Sequence, residues 1–298
     1  MSARTRSLLL LHAIVVVFGF TGILGKLITI DAEPLVFWRV TIGGLTTAGF
    51  LVLRSQWTAW PLRDLLRASG IGLLVAVHWV TFFASIKVSS VGLALTMLAT
   101  APLFVGFIEP MMFGRRIDRR ELLVAGVVLV GIAMVFRAET DQTLGMALGL
   151  VSSILAALFS VLNGKMVHKH DPVNLSAVEL LAASLGMFLF LLSRGEVGPE
   201  LWTLSPSDWL WVAILAVVAT SIAFMVSIRV LKDLSPFESA MAINLEPIYA
   251  IVLAYWFFDE RFEATFYAGA ALVIGAVMLD TALRVIPPKT ERKTPDPQ

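Results

Sequence analysis

The sequence predicts an all-α membrane protein, with ten transmembrane helices arranged as two inverted five-helix repeats. Three observations predict it. Of 298 residues, 58% are hydrophobic and only 15% charged, with a mean hydropathy of +0.84, which is more apolar surface than a soluble core can hide; lipid must cover the excess. Ten segments approach the roughly 20 apolar residues that a spanning helix requires. The pattern between Ser85 and Gly131 then returns in the second half: Ser85-Ile86-Lys87-Val88, Pro102, a basic loop at Gly114-Arg115-Arg116 and Gly126 with Gly131 are answered by Ser227-Ile228-Arg229-Val230, Pro247, Asp259-Glu260-Arg261 and Gly269 with Gly275. Pro102 to Arg116 and Pro247 to Arg261 are both fourteen residues. A duplicated membrane unit of this kind points to transport.

The ten segments run over 8–28, 34–53, 68–86, 91–113, 121–137, 144–166, 173–193, 207–229, 236–258 and 264–285. They are long unbroken apolar runs, not the alternating ten-residue strands of a membrane barrel. Arg4-Thr5-Arg6 before the first imitates a signal peptide, but the run continues without a small-x-small cleavage site and reads as an uncleaved helix. With the N-terminus inside, seventeen of the 23 Lys and Arg fall in inner segments, and only Lys87, Arg137, Arg194 and Arg261 fall outside. By the retention of basic loops on the cytoplasmic side, both termini are expected there, in a plasma or inner membrane. Five spans per half is an odd number. The second half must therefore enter from the opposite face, with a cavity between the halves. The division is 1–138 and 139–285 for the repeats, with 286–298, containing Pro287-Pro288, as a disordered cytoplasmic tail.

These residues resemble the EamA branch of the drug/metabolite transporter superfamily, over roughly residues 8–283. The resemblance rests on Phe18-Gly19 and Lys26 in the first helix, Pro34 and Arg39 in the second, Pro102 and Pro247 in the fourth and ninth, and Asp259-Glu260-Arg261 after the ninth. Arg115 stands where that loop's acidic residue would be in the first half. The resemblance implies two five-helix repeats serving as a chassis for small metabolites, with the fifth and tenth helices outside the cavity and available for a homodimer.

Each charge inside a span costs about 2.5–3.5 kcal/mol on insertion scales and needs a reason. Lys26 and Arg39 near the outer ends of helices one and two read either as a clamp for a substrate carboxylate or phosphate, or as side chains snorkelling to the interface. Glu179 stands where the second half has its counterpart of Arg39, as half of a gate or as an ordinary helix-end carboxylate. His78 and Trp79, midway along the third helix, are candidates for proton coupling and a cavity wall; a satisfied interhelical donor and a packing indole are the alternatives. Glu109-Pro110, Asn244 and Glu246-Pro247 join a carboxylate to a proline that bends its helix and frees a carbonyl, which suits an amine or a proton. Glu246 is the foremost of these. Small residues, Gly19, Gly22 and Gly25, Gly145 with Gly149, and the Gly126/Gly131 and Gly269/Gly275 pairs, let helices approach closely.

The substrate-binding set is thus Lys26, Arg39, His78, Trp79, Asn244 and Glu246, with His78, Glu109 and Glu246 as proton-coupling candidates. The absence of cysteine removes disulfides and thiolate metal sites. No ATP-binding loop, HExxH, cofactor motif or catalytic pairing is present, so the expectation is no enzyme, no cofactor and no metal. No basic patch interleaved with aromatics offers a nucleic-acid footprint. The partners expected are a small-molecule substrate and membrane lipid. The function expected is a secondary transporter, an exporter of a small polar metabolite such as an amino acid, working by alternating access; the other reading is a flippase for a lipid-linked carrier or another embedded non-transport protein.

Overall fold

The computed structural model describes residues 2–114 and 119–285. The basic loop at Arg115-Arg116 and the tail 286–298 lie outside them. Every regular element among the described residues is helical: α1 (Ala3–Leu27), α2 (Ala32–Leu53), α3 (Leu62–Val88), α4 (Val91–Leu98), α5 (Ala101–Phe113), α6 (Arg119–Ala138), α7 (Thr143–Met166), α8 (Pro172–Ser193), α9 (Pro199–Trp202), α10 (Pro206–Ala216), α11 (Ala223–Val230), α12 (Pro236–Ile243), α13 (Glu246–Phe258) and α14 (Ala264–Val285). A 3-10 turn, Thr140–Gln142, precedes α7, and a π-helical turn, Val217–Ile222, joins α10 to α11. Among the described residues, seven stretches are long and apolar enough to cross a membrane: α1, α2, α3, the α4–α5 run, the turn with α7, α8 and the α10–α11 run. Shorter apolar helices cover 123–138, 246–258 and 264–276.

Two of the predicted spans are broken. The run 91–113 turns at Ala99-Thr100 and the run 236–258 at Asn244-Leu245. In each, the proline two residues on, Pro102 or Pro247, falls in the first turn of the following helix. A proline costs least there, because its missing N–H would have had no intrahelical partner. The carbonyls loosened at the first break are taken up by hydroxyls: Thr100 Oγ1 donates to Met97 O at 2.7 Å and Ser153 Oγ to Leu98 O at 3.4 Å.

Small residues set the helix contacts. A Cβ added to Gly145 of α7 would lie 2.4 Å from the Ser89 side chain, and Ser85 Oγ of α3 donates to Gly145 O at 2.7 Å. Gly72 of α3 sits so close to α8 that a Cβ would lie 2.1 Å from Glu179 O. On α6 and α14, Gly131 and Gly269 face each other reciprocally, each Cβ position falling 2.8 or 2.7 Å from the other's carbonyl. Their expected companions, Gly126 and Gly275, face open space. Without a hydrophobic drive inside lipid, such close backbone approach supplies the van der Waals contact that holds helices together. The largest apolar cluster joins α2, α3 and α8 to residues of α1, α4, α10, α11 and α13, while leucines such as Leu53, Leu129 and Leu189 face outward, where a lipid tail is the natural neighbour.

Candidate functional site

A cavity with about 1050 Å³ of non-atom space, counting the part open to solvent, lies between residues of both halves. Arg39, His78, Trp79, Asn244 and Glu246, named from the sequence, all line it. Arg39, the eighth residue of α2, is 1% exposed. Burying a guanidinium at this depth requires compensation. Its Nε donates to Thr220 Oγ1 at 2.6 Å, Nη2 reaches Ala219 O at 3.5 Å, and its carbon lies 3.9 Å from the centre of the Trp79 ring. The π turn makes this possible: Thr220 Oγ1 donates to Leu215 O, five residues back, at 2.9 Å, so its lone pair remains for Arg39. Arg39 and Glu246 line the same cavity.

The polar inventory is uneven in a telling way. Among the described residues, Arg39 Nη1, Asn244 Nδ2 and Thr21 Oγ1 are buried without a hydrogen-bond partner, and all three residues line the cavity. Buried donors left unmatched are uncommon in folded chains and call for an acceptor. The remaining wall is apolar and aromatic. Trp79 meets Phe224 edge-on at 5.5 Å, Phe224 meets Phe159 at 6.4 Å, and Phe159 meets His78 at 5.2 Å. His78 itself is held: its Nδ1 lies 2.9 Å from both the carbonyl and the hydroxyl of Ser152. Two broken helices reach this place, since α5 begins at Ala101-Pro102 and α13 at Glu246-Pro247, both on the wall. Helix N-termini aimed at a cavity favour negative charge.

Lys26 and Glu109 are not on the wall. Lys26 Nζ sits 2.5 Å from Glu260 Oε1 and 4.8 Å from the Phe258 ring centre. Glu260 also accepts the N–H groups of Val91 at 3.1 Å and Gly92 at 3.0 Å, capping α4, so one carboxylate ties α1, α4 and the α13–α14 loop at the far end of the bundle from the N-terminus. Glu109 Oε2 accepts the N–H of Phe237 at 3.1 Å, at the start of α12. At this opposite end Arg4 pairs with Glu238, and Ser7 Oγ donates to Asp233 at 2.6 Å; that hydrogen bond and the nearby Arg229 hold the Asp233 carboxyl below the usual carboxylate range. The sequence reading did not single out Thr21, Phe159, Asn163 or Phe224 for the site. The i, i+3 spacing of Ser160 and Asn163 on an otherwise apolar helix was the available signal for one of them.

Comparison with known proteins follows the same outline. A model of the EamA-like transporter family matches twice, over residues 5–137 and 143–281. An "Uncharacterized transporter" of Archaeoglobus fulgidus is 25% identical over 89% of this chain and 92% of its own length. The "Uncharacterized inner membrane transporter YedA" of Escherichia coli K12 is 28% identical over 91% and 89%. The chain also resembles "Uncharacterized transporter YxxF" of Bacillus subtilis, 24% identical over 90% and 87%. A solved crystal structure superposes with a TM-score of 0.70 over 94% of this chain and 99% of that one, at 17% identity, which speaks for the fold alone.

Proposed function

We propose that this chain, which belongs to the EamA-like transporter family and is a multi-pass membrane transporter, is a secondary transporter that exports a small amphoteric metabolite of the amino-acid kind. The observation that carries this is the set of unmatched buried donors on one wall, Arg39 Nη1, Asn244 Nδ2 and Thr21 Oγ1, with Glu246 on the same cavity. A substrate carboxylate answers the donors, and Arg39's planar fork suits it better than a point charge would. A substrate ammonium answers Glu246. The aromatic wall of Trp79, Phe159 and Phe224 favours an apolar or aromatic body, as a mostly apolar pocket with a few convergent polar groups does in general.

The architecture that supports this reading is ten spans in two inverted sets: the seven long stretches, α6, the α12–α13 run and α14. The two family matches and the reciprocal Gly131/Gly269 contact favour it. The termini then lie on the cytoplasmic side of an inner membrane, and the Lys26–Glu260 cluster closes the outer end. Alternating access moves this closure from one face to the other.

The test is counterflow of tritiated amino acids, apolar and aromatic ones first, in liposomes carrying the purified full chain. Saturable exchange is expected, and its loss in Arg39→Ala and in Glu246→Gln. Flux that proceeds unchanged in both variants overturns the assignment of the site.

A further inference from the structure

A second polar pair lies beside the cavity. Glu179 of α8 is 0% exposed, and its Oε2 accepts from Asn163 Nδ2 of α7 at 3.2 Å. Glu179 Oε1 and Asn163 Oδ1 have no hydrogen-bond partner among the described residues, and neither does Ser176 Oγ one turn earlier on α8. Asn163 also lines the cavity. Among the described residues, no cation on the elements around it is paired with this carboxyl. On α2, Arg39 faces Thr220 and Trp79; on α3, His78 is held by Ser152 and Asp64 lies with Lys169 and His170; on α7, Lys165 donates to Met112 O; on α11, Arg229 pairs with Asp233. A carboxylate ion in this place would be a buried charge without a counterion, which costs far more than a buried neutral group.

We propose that Glu179 and Asn163 form a proton-binding site, joined to the cavity through the Asn163 amide. Of these three orphan atoms, Glu179 Oε1 and Asn163 Oδ1 are acceptors, and one proton repairs both. Added to the lone pair of Glu179 Oε1, it makes a donor for Asn163 Oδ1 and closes an acid–amide ring with the existing Nδ2–Oε2 bond. The proton comes from a hydronium ion of the cavity water, whose O–H bond breaks as the Glu179 Oε1–H bond forms; on release it returns to a water molecule, and nothing is oxidised or reduced. When it leaves, the Oε1–Oδ1 half of the ring opens, the Nδ2–Oε2 bond stays on the charged carboxylate, and Asn163 Oδ1 is free to accept from the cavity and its substrate. The inference rests on the transporter reading for its purpose, since it names the group through which a proton gradient would drive that transport, and it places this role away from His78, Glu109 and Glu246.

Infrared pH-difference spectra of the full chain in lipid read the site directly. A carboxylic-acid carbonyl band is expected that disappears in Glu179→Gln, persists in Glu246→Gln and moves to higher frequency in Asn163→Ala, where the hydrogen bonds are gone. Glu179→Gln should fold, because its amide can donate to Asn163 Oδ1 and imitates the protonated acid; if it does not, the shift in Asn163→Ala still reports. Superimposable wild-type and Glu179→Gln spectra, or a band that follows Glu246 instead, overturn the proposal. With tritiated phenylalanine as probe, Glu179→Gln should retain counterflow while its uptake ratio with and without a pH gradient falls to unity; a ratio equal to wild type also overturns it. If wild type shows no counterflow with any amino acid, the transporter reading fails, and the infrared band still decides the proton site.

Discussion

Helices α2 and α8 are two settings of one frame. Each is 22 residues long, starts after an aspartate (Asp31, Asp171), ends at an arginine (Arg54, Arg194), and is followed by a residue with positive φ, Ser55 at 51° and Gly195 at 73°. At the eighth position of each stands a fully buried ionisable side chain, Arg39 in one and Glu179 in the other. About 10 Å of helix separates each from its start, at about 1.5 Å per residue. The register of the two helices matches while the charge is opposite. Arg39 reaches the cavity through the space made by the π turn, whereas Glu179 meets a neighbouring amide. The lesson is that the frame carries the symmetry and the side chains carry the function, so a substitution should act differently at two positions that the frame treats alike.

The largest expected difference is functional. Arg39→Ala removes a desolvated charge-assisted contact, a loss on the order of 2–5 kcal/mol in substrate binding, and binding measured by thermal shift or counterflow should fall to background. Equal loss in Glu179→Gln would break the distinction between the two positions. Next come the glycines on which the same two helices are packed. Gly72 of α3 would bring its new Cβ to 2.1 Å from a backbone oxygen of α8, whereas Gly43 of α2 would meet Thr220 Cγ2 at 3.0 Å and Ala216 O at 3.1 Å. Overpacking costs about 1–3 kcal/mol and sometimes more, so Gly72→Ala should lower the melting temperature in detergent well beyond Gly43→Ala. The reverse order would show that the α3–α8 seam is the looser one. The smallest difference is at the caps. Asp171 accepts from the N–H groups of Val173 and Asn174, but Asp31 makes no side-chain cap bond. Replacing a working cap by alanine costs about 1 kcal/mol, so Asp171→Ala should shift the melting curve measurably and Asp31→Ala should leave it in place.

Much of the frame was legible in the sequence because a span is a long-range average of apolar residues. The reading of 144–166, 173–193 and 207–229 lies within a residue or so of α7, α8 and the α10–α11 run. The breaks at Ala99-Thr100 and Asn244-Leu245 were visible only as prolines, whose position in the following helix depends on neighbours that take up the loosened carbonyls. The π turn had no signal at all, since it depends on Thr220 bonding back to Leu215. The site divides on similar lines. Arg39, His78 and Trp79 stand well inside their helices, and Asn244 and Glu246 at the break in the middle of a predicted span, where depth brings them to one hollow. Lys26 stands at a helix end, and its direction is set by Glu260 from a loop remote in sequence. Thr21, Phe159 and Phe224 carry residue types too common in apolar helices to be told apart without their neighbours.

The facing glycines of α6 and α14 have a consequence for how such a chain can be put together. Their contact is made by facing backbone oxygens and flanking valine methyls and is the same seen from either side, so it asks nothing of the peptide link between the two helices. The short turn at Thr140–Gln142 between α6 and α7 is then a tether that keeps the two pieces in equal number, while the contact itself holds them together.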